Sequence, residues 1–483
     1  MRVLTSSLRA RLERPAWWAW SAVGLVGSLV VAAGAAGVGA LPRPGRYRWW
    51  LPVLVHEHAS GYGLLYLGVA LLVVAWLGLG FAAARNQLGS GRGALTLAAW
   101  ALPLFVAPPL FSRDVYSYVA QGLLAHRGLN PYHFGPDALG AGPLFDSLAT
   151  AWRHTPSPYG PLFVTLSNVI VGPAHSLIAQ VLAFRALSGI GLLASALLLV
   201  RLARELGANE SLALWLGALS PLSLFSSVAS AHNDSLMIAL VLGGLLAWRR
   251  GHLHVAIGLI ALGAAVKLPA LAGLAVITGA EWRRGPGRLR LLTEVVLVTG
   301  VVLTGLTLLN GFGFWWASPP ALALASQLRT LATPMTSLGV FLAASLRVLG
   351  AHTLSTHRVV SDVQPVGELV STAAVLYALW RVRATHVVRT LGVILLVLVL
   401  GGPTLWPWYL LWGITLLAAT AANSSRVLIA IAGLASLVVG PGGSPMLGGN
   451  AYLVTAPLLV IGLIGFMRYL SQHDILATPD DAH

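Results

Sequence analysis

Cysteine is absent from all 483 residues. Disulfides, thiol catalysis and cysteine-based metal sites are excluded with it. Charge is scarce too. Only 9% of residues are Asp, Glu, Lys or Arg, against roughly 25% in a soluble domain, so a water-exposed surface cannot be covered. Hydrophobic residues make up 57% and mean hydropathy is +0.79. Disorder, collagen and coiled coil are excluded by the same figures. What remains is an all-α polytopic membrane protein. Acids number 15 against 30 cations, and Lys267 is the sole lysine among 29 arginines. In a soluble protein a net charge of +15 would suggest nucleic acid. Here the arginines cluster between apolar runs, as membrane topology requires, and no nucleic-acid partner is expected.

What is present is a series of apolar runs of span length. They lie at 17–40, 63–84, 95–111, 176–200, 211–230, 291–310, 366–380, 408–422, 426–440 and 451–467, with shorter ones at 235–248, 253–266, 268–280 and 390–403. Arg2, Arg9, Arg11 and Arg14 precede the first, which is too long for a cleaved signal core. If the arginine clusters are cytoplasmic and 160–173 and 335–350 do not cross, the count is about 14 spans with both ends inside. Residues 1–94 form an N-terminal two-span extension. A core follows at 95–310, an outer loop at 311–334, and a C-terminal transmembrane region at 335–483. Segment 112–160 is a long, structured first outer loop. In it Val115, Val119, Leu123 and Leu124 recur at helical spacing, which predicts a short helix lying in the membrane interface.

With so few acids, each can be placed. Glu205, Glu210, Glu281 and Glu294 fall beside arginines, and solvated ion pairs explain them. Two are unusual. Asp114 stands three residues past the 95–111 run. It is either half of a pair with Arg113 or a general base at the mouth of a cavity, with Arg113 and Tyr116 binding an anion and a hydroxyl beside it. Asp234 follows His232 and Asn233 between two apolar runs, and is either an N-cap for the next helix or part of a polar site. Lys267 sits in an apolar stretch next to Pro269. A lysine at membrane depth costs roughly 2.5–3.5 kcal/mol on the lenient scale, so it either binds an anion such as phosphate or snorkels to a helix end. Trp408 and Tyr409, in Pro403–Tyr409, are either an interfacial aromatic belt or a contact for sugar and isoprenoid. The His56-Glu57-His58 triplet has poor spacing for a metal. No metal site and no cofactor are expected.

The strings Ser112–Gly122, Leu129-Asn130-Pro131-Tyr132, Ser157–Pro161, Ala231–Asp234, Lys267-Leu268-Pro269 and Pro407–Trp412 together resemble the actinobacterial polyprenol-phosphate-mannose-dependent α-1,6-mannopyranosyltransferases. The likeness runs from about residue 95 onward. That resemblance implies a GT-C-type glycosyltransferase of the plasma membrane, with its active site on the extracytoplasmic face. It places the catalytic acid on Asp114. It also implies a polyprenyl-phosphate mannose donor, a lipid-linked mannan acceptor and a role in lipomannan and lipoarabinomannan synthesis. Trp406 stands where that family is expected to carry a polar residue, often histidine. A β-linked donor and an α-linked product require one inverting displacement, with one base and cations for the departing phosphate. Asp114 supplies the base. Lys267 and Arg113 supply cations, with Tyr116, His232, Asn233, Asp234, Trp408 and Tyr409 on the donor phosphate and sugar. A transferase of another polyprenyl-phosphate sugar such as arabinofuranose, and a lipid or sugar transporter, are the alternative readings. No internal repeat favours the transporter.

Overall fold

The computed structural model describes residues 17–40, 58–319, 333–350, 353, 355–420 and 425–442, and all of its regular elements are helical. The expected span at 451–467, the terminal acids, His56-Glu57 and most of 320–334 lie outside the described residues. Helices α1 (Trp17–Val38) and α2 (His58–Ala84) pair closely. A Cβ at Gly34 or Gly68 would sit 2.7 or 2.6 Å from the partner's backbone, so small residues here let two apolar helices touch without polar contacts. Helix α3 (Ser90–Val106) joins them, with Trp100 Nε1 donating to the Ser21 carbonyl at 2.8 Å.

The long loop holds α4 (Asp114–His126) and leads to α5 (Pro161–Val171). Then come α6 (Leu177–Glu205), α7 (Glu210–Gly217) and α8 (Pro221–Leu224), which runs on as a π-helical turn through Ala229. Helices α9 (Asp234–Arg249), α10 (Leu253–Val266), α11 (Leu271–Trp282) and α12 (Arg288–Asn310) follow. The C-terminal part adds α13 (Pro334–Val348), α14 (Thr356–Arg381), α15 (Val387–Gly401), α16 (Leu410–Ala418) and α17 (Ser425–Val438).

Among the described residues six helical stretches are long and apolar enough to cross a membrane, or seven if a bent pair is one span. Several other apolar runs of the fourteen read from hydropathy form shorter helices, and 451–467 lies outside the described residues. At 14 and 12 residues, α10 and α11 each reach only about 20 Å of a hydrocarbon core about 30 Å thick. The run 211–230 is not one straight helix. It bends by 53° between α7 and α8, where Pro221 removes a backbone donor and the Ser220 hydroxyl accepts from the Ser223 amide.

Helix α4 is the short helix expected in the long loop, and it packs inside the protein. Val115 to Gly122, Leu124 and Ala125 are all buried, and Gly122 touches the Ser167 backbone of α5 so closely that a Cβ would stand 2.5 Å from its carbonyl oxygen. The arginine-flanked acids behave as read. Glu205 pairs with Arg250, Glu210 with Arg204, Glu281 with Arg284 and Glu294 with Arg290, at 2.7, 2.7, 2.5 and 2.8 Å.

Candidate active site

Four short interruptions of the apolar helices meet at one end of the bundle. In the first, α3 stops before Pro108-Pro109 and the chain turns through Phe111 at φ +68°. A non-glycine residue in that region stores strain, which is common where a functional group must be aimed. Phe111 is held by its ring against Phe225 at 4.4 Å and by its amide on the Pro441 carbonyl. The Ser112 hydroxyl accepts the Asp114 amide at 3.1 Å. This seats Asp114 as the first residue of α4, where the helix dipole favours a carboxylate.

The second interruption is Ser230–Asn233, where Ala231 has φ +60°. It is stitched to the first. The Leu110 amide donates to the Ala229 carbonyl at 3.2 Å, and the Ser230 hydroxyl to the Leu110 carbonyl at 2.8 Å. Arg185 of α6, fully buried, closes the same seam. Its guanidinium donates to the carbonyls of Phe105, Ala107 and Ala229. One side chain thus spans the stems of both loops.

The third interruption is Lys267, in extended conformation between α10 and α11. Its ammonium lies 2.8 Å from Asp234 Oδ1, and Trp412 Nε1 donates to the same oxygen at 2.5 Å. The rings of Tyr409 and Trp412 flank the ammonium at 4.5 and 5.2 Å, within cation–π reach. Lys267 therefore turns inward rather than snorkelling. Asp234 does not cap α9: its side chain binds Lys267 and Trp412 instead. The fourth interruption, Pro407–Tyr409, stacks Trp408 on Trp406 at 5.1 Å and on His232 at 3.9 Å.

Asp114 keeps 14% of its side chain exposed, whereas His232 and Asp234 keep 1% each. Its Oδ1 accepts from Trp152 Nε1 at 3.1 Å and its Oδ2 lies 3.5 Å from His232 Nδ1. Burial pushes its pKa up to about 6. Lys267 and the Trp152 and Ser112 hydrogen bonds oppose that rise, and Asp234 adds to it. Burial, reinforced by Lys267 and opposed by Asp234, pushes His232 down to about 3, so its ring is neutral. The result is a partly open carboxylate near neutrality, beside a neutral imidazole and a buried ammonium–carboxylate pair. Proton acceptance and anion binding are the chemistries this supports. Among the described residues no three His, Asp or Glu side chains converge as a metal would require.

Not every expected residue faces this cluster. Tyr116 turns away, its hydroxyl donating to the Ala40 carbonyl at 2.5 Å. The Arg113 guanidinium donates to the Ser147 carbonyl at 2.9 Å, bracing the loop. Asn233 is 2% exposed and its amide has no hydrogen-bond partner.

A profile described as alpha-(1->6)-mannopyranosyltransferase, N-terminal domain, matches residues 21–283, and one described as MptB C-terminal domain matches 335–468. This chain belongs to the alpha-(1->6)-mannopyranosyltransferase family. An alpha-(1->6)-mannopyranosyltransferase of Mycobacterium tuberculosis is 32% identical, with 86% of this chain and 80% of the relative aligned. The same organism's alpha-(1->6)-mannopyranosyltransferase A is 31% identical over 86% and 83%. Alpha-(1->6)-mannopyranosyltransferase B of Corynebacterium glutamicum is 30% identical over 85% and 74%. No solved structure matches the chain. The protein is thus a mannosyltransferase, and it needs a sugar donor and an acceptor.

Three parts of this mannosyltransferase's site escape a reading by acids and hydropathy. Trp152 is one tryptophan in a loop, and nothing local marks it as a donor to Asp114. Trp412 reads as an ordinary apolar residue of its run. Arg185 had a signal: a lone arginine inside a span is costly and usually partnered.

Proposed function

We propose that the protein transfers mannose from a polyprenyl-phosphate mannose to a hydroxyl of a lipid-linked mannan, forming an α-1,6 linkage with inversion on the extracytoplasmic face. The product would feed lipomannan and lipoarabinomannan assembly, and the fold would be of GT-C type. The observation that carries the reading is Asp114: a carboxylate held through Oδ1 and 14% exposed, near the Lys267 ammonium, itself 13% exposed, whose charge acts on it.

In the displacement, Asp114 takes the proton of the acceptor 6-hydroxyl as that oxygen bonds to C1 of the donor mannose. The C1–O bond to phosphate breaks, its electron pair leaves on the phosphate, and polyprenyl phosphate departs. Charge grows on both the leaving phosphate and the sugar ring. Lys267 carries three N–H donors; one meets Asp234, and the others serve the phosphate. Trp408 and Tyr409 offer aromatic faces to the sugar and the first isoprene units. A monophosphate leaving group stabilised this way needs no metal.

The test is transfer of radiolabelled mannose from synthetic polyprenyl-phosphate mannose into a lipid-linked α-mannoside by purified protein in liposomes. Product digestible by an α-1,6-mannosidase is expected, with activity retained in EDTA. Labelling only from a polyprenyl-phosphate arabinofuranose donor would replace the sugar assignment. Dependence on added Mg²⁺ or Mn²⁺ would force Asp114 and Asp234 to be re-read as ligands.

A further inference from the structure

We infer that His232 is a positioning residue for Asp114, donating an Nδ1 proton to Oδ2 and so fixing both the orientation and the ionisation of the base. The inference rests on the reading of Asp114 as that base. It moves His232 from the donor-sugar contacts, where its sequence neighbours would put it, to the support of the carboxylate.

The placement of the ring is over-determined. Its amide donates to the Ser226 carbonyl at 3.0 Å. Its own carbonyl accepts the Ser188 hydroxyl at 2.8 Å and the Ser235 hydroxyl at 3.3 Å. The ring lies nearly flat on Trp408, 22° from parallel. The residue before it, Ala231, holds a left-handed backbone, a strained conformation that aims the next side chain. The outcome of this bracing is that Nδ1 stands 3.5 Å from Asp114 Oδ2 and 3.5 Å from the Tyr118 hydroxyl.

The proton can then be assigned. An ionised carboxylate only accepts, so the nitrogen facing it must carry the hydrogen. The Tyr118 hydroxyl gives its own hydrogen to Tyr159, so toward Nδ1 it too can only accept, and of the two acceptors at 3.5 Å the ionised carboxylate is the stronger. The other nitrogen, Nε2, is buried with no hydrogen-bond partner, an arrangement tolerated mainly where the first nitrogen has a task. Trp152 holds Oδ1 and His232 holds Oδ2. With both oxygens held, the carboxylate plane is fixed. Substrate does not reach His232 itself, since its side chain is 1% exposed.

A hydrogen bond to the charged form favours that form. His232 therefore keeps Asp114 ionised at lower pH than burial alone would allow. The other groups facing the pair are Asp234 and Lys267, 2.8 Å apart and untouched by the His232 variants, and the phenols of Tyr118, Tyr159 and Tyr409, which do not titrate near neutrality.

The experiment is a pH–rate profile for mannosyl transfer in liposomes, with wild type, His232→Phe and His232→Asn. Phenylalanine keeps the stack on Trp408 and removes Nδ1; asparagine places an amide N–H close to where Nδ1 was. His232→Phe should move the acid limb up by about one pH unit, from about 6, and so lower kcat about threefold at pH 6.5 and about tenfold at pH 5, with donor KM nearly unchanged. His232→Asn should bring the limb back. Should the Phe variant not fold, Asn against Gln carries the test, because a Gln amide reaches the position of Nε2 and should not restore the limb. A limb that stays at the wild-type pH in the variants, or a loss equal at every pH, assigns His232 to packing and overturns the inference. Asp114→Asn keeps the two failures apart. Surviving transfer there removes the base reading itself, whereas lost transfer with an unmoved limb in the His232 variants removes only the role of His232.

Discussion

Asp114 is a carboxylate whose burial works against its charge, so under the proposed base role transfer and stability should respond to pH in opposite senses. Its folded pKa is about 6, above the ordinary value of 3.8. A base must be ionised, so transfer should rise with pH through about 6 and level off above it. Stability runs the other way. The raised pKa contributes stability that is fully present below the unfolded value and is lost as pH rises through about 6. A shift of about two units corresponds to something on the order of 3 kcal/mol. Asp114→Asn removes that cost and retains most of the hydrogen bonding to Trp152. The variant should lose transfer by ~10²–10⁴-fold, yet melt no lower than wild type at pH 8 and lose its relative advantage at pH 4. Melting curves at both pH values on the preparation used for the transfer assay check both halves. A lower melting temperature at pH 8 with transfer intact would make Asp114 a structural acid.

The helices contribute to the site mainly by being interrupted. Their apolar faces were legible in the sequence, and so were Asp114 and the segment following it, because a charge in an acid-poor apolar chain has few neutral explanations. What one-dimensional reading lacked was the pairing. Asp234 and Lys267 each looked isolated, yet they lie 2.8 Å apart, joined by a bent α7–α8 pair on one side and the α10–α11 break on the other. Hydropathy averages erase such breaks, and they erased Arg185 within α6 as well. The pairing changes how Lys267 must be tested. Lys267→Met strands a buried carboxylate, at a cost of about 3–5 kcal/mol. Adding Asp234→Asn should recover most of that stability, because both charges then leave together. If Lys267 binds donor phosphate, the double variant should be stable and still bind polyprenyl-phosphate mannose poorly. Donor affinity that returns along with stability would limit Lys267 to the ion pair. Arg185 makes a parallel case. Lysine is a point charge and cannot reach three carbonyls set in a fork. Arg185→Lys should let the stems of the Asp114 and His232 loops drift apart. A 1 Å displacement of a catalytic group costs on the order of 10²-fold, so kcat should fall about that far while donor affinity holds. Equal falls in kcat and in donor affinity would point to general unfolding instead.

At the scale of the molecule the arrangement is polarised. The arginine–glutamate pairs Glu205–Arg250 and Glu281–Arg284 gather near the Arg249 end of α9, whereas Asp234, at the other end of that helix, belongs to the candidate site. If the arginine end faces the cytoplasm, as the positive-inside rule would have it, the site lies on the far side, as the proposed reaction requires. Topology can be read directly, because the chain has no cysteine of its own. The choice of position matters. Ser117 belongs to the candidate outer loop but is only 2% exposed, so a cysteine there would be silent for reasons of burial alone. Ala138 is exposed on the same loop, and Arg283 is exposed between α11 and α12. Ala138→Cys should react with a membrane-impermeant maleimide in intact cells, and Arg283→Cys only after the membrane is opened. The reverse pattern would put the site in the cytoplasm and remove the extracytoplasmic donor and acceptor from the proposal. Labelling of both in intact cells would mean that an odd number of crossings between residues 138 and 283 has been misjudged, and the break at Lys267 is the first place where a re-entrant pair would have to be redrawn as a full crossing.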